Sequence, residues 1–137
     1  MNNRSTTPVV VFTCNWDGLS CVEAAARARL NYPASVRVLK VSCLSRLHHG
    51  LILKAFERGA EGVMLLGCEP GNCLFDTDTG HIVAEYEKAR IILKMLGLGE
   101  ERLVHCRIPR GDGPAFVKQV TGFVMEIGQM RSAALVR

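Results

Sequence analysis

The chain has 137 residues, 48% hydrophobic and 22% charged, with a formal net charge of +4. That length and balance suit one globular domain with its own core and exclude a disordered chain. Apolar runs of five or six residues fall far short of the roughly 20 that span a bilayer. The polar opening MNNRSTTP lacks the apolar stretch of an export signal, so a soluble, cytoplasmic protein is expected.

The expected organisation is a single domain over 1–137, with flexible tails at 1–7 and 131–137. VVVFT (9–13) reads as the first strand, short and β-branched. An Ala-rich first helix follows over 18–30, with Leu19, Val22, Ala26 and Leu30 on one face and Asn31 and Pro33 closing it. VRVLKV (36–41) is the second strand. Residues 46–58 form a second helix with Leu47, Leu51, Ile52, Ala55 and Phe56 on its apolar face, ended by Gly59. GVMLLG (62–67) is the third strand. A third helix over 81–96 aligns Ile82, Tyr86, Ala89, Leu93 and Leu96, and stops at Gly97. RLVHCRI (102–108) is the fourth strand. Asp112-Gly113-Pro114 then opens a helix over 114–128 with Val117, Val120, Val124 and Ile127 on one face.

Strands alternating with helices predict a parallel sheet covered on both faces. Strands one and three are apolar throughout and belong in the centre. Arg37, Lys40, His105 and Arg107 mark strands two and four as edges. The expected fold is a single flavodoxin-like, Rossmann-like three-layer α/β domain with a four-stranded parallel sheet in the order 2-1-3-4.

Six cysteines are the unusual feature of the composition. In a reducing compartment, clustered thiols bind metal or do redox chemistry. Ligands of open α/β sheets bind beyond the carboxyl ends of the strands. Cys14 follows strand one, Cys43 strand two and Cys68 strand three; Cys73 shares the loop of Cys68, and Cys21 lies early in the first helix. Five thiols from three segments are therefore expected on one rim, enough for an iron–sulfur cluster or a zinc ion. No tight C-x2-C pair of the usual zinc kind is present, whereas the C-x4-C of Cys68 and Cys73 suits an iron–sulfur loop. Cys106, on an edge strand, fits a small buried hydrophobe. His48, His49 and His81 read as surface residues.

Other chemistries lack their spacing. A small phosphatase loop needs an arginine where Ser20 stands, and a thioredoxin-type C-x-x-C needs a cysteine where Asp17 stands. No strand is followed by G-x-G-x-x-G or a P-loop. The basic residues are scattered, so neither nucleic acid nor membrane is an expected partner.

FTCNWDGLSC, YPASVRVLKVSCLSR and ILKAFERGAEGVMLLGCEPGNC together resemble the delta, iron–sulfur subunit of methyl-viologen-reducing hydrogenases, which accompanies heterodisulfide-reductase-like complexes. The likeness covers about residues 8–130. It implies one 2Fe–2S cluster per chain and a non-catalytic role in an oxidoreductase complex. Electrons would pass between a hydrogenase or other dehydrogenase and a flavin-containing heterodisulfide-reductase-like A subunit. Cys14, Cys43, Cys68 and Cys73 match the family's cysteines. The family's C-N-W-C is broken by Asp17, with Cys21 one helical turn further along, so either Cys21 or Cys43 completes the ligand set with Cys14, Cys68 and Cys73. Arg46 is expected to offset the cluster's negative charge and Trp16 to cover it. Two rivals remain: a thiol-based redox enzyme using Cys14 or Cys68, and an assembly module stabilised by zinc.

Overall fold

Each predicted apolar run becomes a strand, and each amphipathic stretch becomes a helix. The structure, a computed structural model, describes residues 8–67 and 80–136. In chain order the elements are β1 (Val9–Cys14), α1 (Asp17–Arg27), β2 (Val36–Val41), α2 (His49–Glu57), β3 (Gly62–Gly67), α3 (Gly80–Met95), β4 (Leu103–Arg107) and α4 (Gly113–Val136). Short 3-10 turns occupy Leu44–Arg46 and Glu100–Arg102. The sheet is parallel in the order β2-β1-β3-β4, with β2 and β4 at its edges. Helices on both faces complete a three-layer α/β fold.

Alternation along the strands divides the core in two. Val9, Val11, Met64 and Leu66 face α1 and α4, where they pack with Cys21, Ala25, Phe116 and Val120. Phe12, Cys14, Val63 and Leu65 face α2 and α3, where they meet Leu44, Ile52, Ala89 and Leu93. No helix among the described residues is long and apolar enough to cross a membrane.

Helix ends follow the expected chemistry at two of three stops. Gly59 (φ 109) and Gly97 (φ 77) end α2 and α3 in the left-handed region. Ala60 N–H then reaches Ala55 O and Leu98 N–H reaches Leu93 O. At the end of α1 the left-handed position belongs to Arg29 (φ 56), with Leu30 N–H bonding Ala25 O. The helix thus stops before Asn31 and Pro33, through a residue whose side chain gives no such signal.

The second helix starts later than its periodicity suggests. Leu44–Arg46 form the 3-10 turn, Leu47 is extended, and the His48 ring accepts the Gly50 N–H as the cap of α2. Leu47 is still buried, but it packs from the turn. The fourth helix runs on to Val136, through most of the stretch expected as a tail. Asp112 Oδ1 accepts the Ala115 N–H at 3.0 Å and caps it.

The α1–α4 contact sets the first of the expected outcomes. A Cβ on Gly113 would lie 2.7 Å from Ala25 N and 3.0 Å from Ala25 Cα, backbone atoms that cannot turn aside. Gly113→Ala is therefore expected to lower stability by about 1–3 kcal/mol in urea unfolding. An unchanged midpoint would contradict this close packing.

Candidate functional site

Cys14 is the last residue of β1 and is 3% exposed. Three residues later the chain enters α1 through Trp16, which makes no side-chain cap bond. The sulfur of Cys14 takes that place, accepting the Gly18 N–H at 3.1 Å. Gly18 is buried, and a Cβ there would collide with Thr13 Oγ1 and lie 2.6 Å from Leu66 O and 3.3 Å from Cys14 Sγ. Glycine is thus what lets the helix start close down on the strand end and aim a backbone donor at sulfur.

Cys43 lies two residues past β2 and is buried. Its Sγ is 3.0 Å from Ser45 Oγ, inside the 3-10 turn. Register pairs Cys14 with Val41 and Thr13 with Leu66, so the ends of β2, β1 and β3 stand level. The turn after Cys43 closes on β3, because a Cβ on Gly67 would lie 2.7 Å from Leu44 Cδ1. Cys14 and Cys43 therefore emerge at neighbouring strand ends, at the carboxyl end of the sheet. Cys68 and Cys73, which complete the expected rim, lie outside the described residues.

Cys21 is placed differently. It is fully buried among Val9, Ala25 and Phe116, on the face opposite the cluster of side chains that includes Cys14. Its thiol donates to Asp17 O at 3.3 Å and to Pro109 O at 3.2 Å. Burial pushes its pKa above the ordinary thiol value, outweighing the lowering by backbone groups of Asp112 and Gly111. Such a thiol stays protonated. Half-buried Cys106 is raised in the same way, by burial alone.

Asp17 is 2% exposed and receives Arg110 Nε at 2.7 Å. Ser20 Oγ–H donates to Asp17 O, and Gly111 N–H donates to Ser20 Oγ. These bonds tie the loop before α4 to the start of α1. A polar cleft of about 680 Å³ opens there, lined among others by Trp16, Asp17, Lys40 and Arg110. Trp16 is 40% exposed and Arg46 is exposed at the end of its turn. This pairing of buried Asp17 with an exposed arginine is invisible in sequence, since Arg110 lies 93 residues from Asp17.

A second polar group joins α2 to α3. Glu85 is 3% exposed and accepts His49 N–H at 2.9 Å, His49 Nδ1 at 3.0 Å and Lys88 Nζ at 3.1 Å. His48, His49 and Glu85 place potential metal-binding atoms within 4.8 Å of one another. However, the His48 Nδ1 lone pair already takes the Gly50 N–H, which leaves the proton on Nε2 and suits a helix cap better than a metal ligand. His49 is half-buried in this network, unlike the surface residue its neighbours suggest; His81 is exposed.

The bonds from His49 and then Lys88 hold Glu85 down at about 2, from an ordinary value of 4.5. A depressed carboxyl contributes stability that is complete above pH 4.5 and lost as pH falls towards 2. Urea titrations of the wild type are expected to show this loss between those pH values, and Glu85→Gln should flatten it. Equal acid sensitivity of the two proteins would contradict the assignment.

Comparison with known proteins follows the same lines. Residues 9–131 match the family described as methyl-viologen-reducing hydrogenase, delta subunit. The chain is 35% identical over 108 residues to the iron-sulfur D subunit of the vhc F420-non-reducing hydrogenase of Methanococcus voltae, covering 79% of this chain and 75% of that protein. It is 32% identical over 123 residues to the iron-sulfur D subunit of the vhu F420-non-reducing hydrogenase of Methanococcus maripaludis, covering 88% and 92%. Similarity also extends to the A subunit of the ferredoxin:CoB-CoM heterodisulfide reductase of Methanosarcina mazei, at 30% over 122 residues; these are 89% of this chain but 15% of that larger protein. With its sheet order, its strand-end cysteines and a family match over almost its whole length, the chain belongs to the methyl-viologen-reducing hydrogenase delta subunit family.

Proposed function

We propose that this chain is a non-catalytic iron–sulfur subunit carrying one 2Fe–2S cluster. It relays electrons between a hydrogenase or other dehydrogenase and a flavin-containing heterodisulfide-reductase-like A subunit. The observation that carries the reading is the pair of buried sulfurs at neighbouring strand ends, one of them accepting a backbone N–H from a helix start. Backbone donors to sulfur are a means by which proteins hold such clusters and set their potential. The relatives named as iron-sulfur subunits support the class of cofactor.

The ligands of this reading are Cys14, Cys43, Cys68 and Cys73. Cys21 is left as a core thiol, because its proton is committed to two carbonyl oxygens. When bound, the cluster supplies reversible transfer of one electron at a time. The chain's own residues hold it, exclude water and present docking surfaces. Trp16 and Lys40 at the cleft, with exposed Arg46, would meet a partner approaching the rim.

Anaerobic purification followed by iron, sulfide and zinc analysis, with visible and EPR spectra after reduction, tests the reading. About two irons and two sulfides per chain are expected. Metal-free protein that cycles a disulfide would replace the relay with a thiol-based redox enzyme. One zinc per chain would replace it with an assembly module.

A further inference from the structure

On the sheet face that carries α2 and α3, Arg37 and Leu39 of β2 stay exposed among the described residues, whereas Val41 packs into the core beside Cys14. Alternation on β1 sends Val10 and Phe12 to this face, and register pairs them with Arg37 and Leu39. Leu39 is 48% exposed and Leu51, on α2, is 46% exposed. Between β2 and α2 runs a groove of about 410 Å³ with a floor of Val10, Phe12, Leu39 and Leu51. Arg37, Lys54 and Arg58 stand along it. Lys54 has Glu57 at 3.8 Å, but both are largely exposed and the pair is weak.

We infer that this groove docks an amphipathic, acidic helix of a partner protein, its apolar stripe on the floor and its carboxylates against Arg37, Lys54 and Arg58. An exposed stretch of strand beside a packed helix is where one further helix fits, at the usual interaxial spacing of about 8–10 Å. The rim chooses the sign of the partner. A second copy of the chain would bring the same three cations against themselves. The chain's own opening residues, MNNRSTT, carry Arg4 and no carboxylate. The groove runs towards Pro8 and Gly59, at the end of the sheet opposite Cys14, so docking here does not depend on the cluster.

The test places a benzophenone amino acid at Leu39 of the full chain in its native host, and sequences the cross-linked peptide. A carboxylate-rich helical segment of another protein is expected. Its yield should fall by about tenfold when Arg37→Glu and Arg58→Glu are combined, with the thermal midpoint unchanged. It should not change with Cys14→Ser, which separates this inference from the cluster reading. Cross-linking to a second copy, to residues 1–7 or to a segment without carboxylates would overturn it. So would a yield no greater than from the same probe at exposed Met125, or one indifferent to charge reversal.

Discussion

With Cys14 a ligand of the proposed 2Fe–2S cluster, Cys14→Ser is expected to bring iron from about two per chain to near zero, whereas Cys21→Ala keeps it. The two cysteines lie seven residues apart, but the fold gives them opposite situations. Cys14 ends a strand at the sheet rim and its sulfur accepts a backbone N–H. Cys21 lies across the sheet and its sulfur donates to Asp17 O and Pro109 O. Serine at 14 keeps the size and the hydrogen bond but offers a hydroxyl that is a poor ligand for iron. Alanine at 21 leaves a small cavity and removes one donor each from Asp17 O and Pro109 O, which keep Ser20 Oγ and the Asp112 N–H, at a cost of about 1–2 kcal/mol. The signature is therefore crossed: iron lost with little change in stability at 14, stability lost with iron retained at 21. Iron analysis and urea unfolding of the two variants read both halves. Iron loss from Cys21→Ala of the unfolded fraction's size is accounted for by the same unfolding curve. Loss beyond it would return Cys21 to the ligand set.

The strands and their order were legible because their signal is local. Continuous apolar runs at 9–13 and 62–67 could only be central strands, and charged residues at 37, 40, 105 and 107 marked the edges. Helix phase was less legible. On α1 the periodic reading chose Leu19, Val22, Ala26 and Leu30, yet Cys21 and Ala25 are the fully buried pair, and Ala26 is exposed. In an Ala-rich helix several faces have similar hydrophobicity, and the close approach of α4 at Gly113 favours the smallest one. That choice of phase is also what turns Cys21 away from the rim. On α4, Phe116 and Phe123 are buried alongside Val120 and Ile127, so the apolar stripe is wider than the valines alone suggest. Glu85 and Asp17 are buried against residues far away in sequence, and no window along the chain contains both partners.

Gly18→Ala is expected to disturb stability and metal retention together. Its new methyl group would meet Thr13 Oγ1, Leu66 O and Cys14 Sγ, three atoms on two strands at the centre of the sheet. Thr13 is fully buried and its hydroxyl donates to Cys14 O, so it has no open space to turn into. Leu66 O is backbone. The helix start must therefore lift away, at a cost of about 1–3 kcal/mol for overpacking. The same movement lengthens the 3.1 Å contact from Gly18 N to Cys14 Sγ. Gly122, in α4, is the matched control, since a Cβ there meets nothing within 4 Å. Gly122→Ala should gain up to about 1 kcal/mol from helix propensity and leave iron unchanged. Unfolding of metal-free protein isolates the packing cost, and iron retained after anaerobic gel filtration reads the effect at sulfur. If Gly18→Ala matched the wild type in both measurements, the close fit of helix start to strand end could not be what holds the Cys14 sulfur in place.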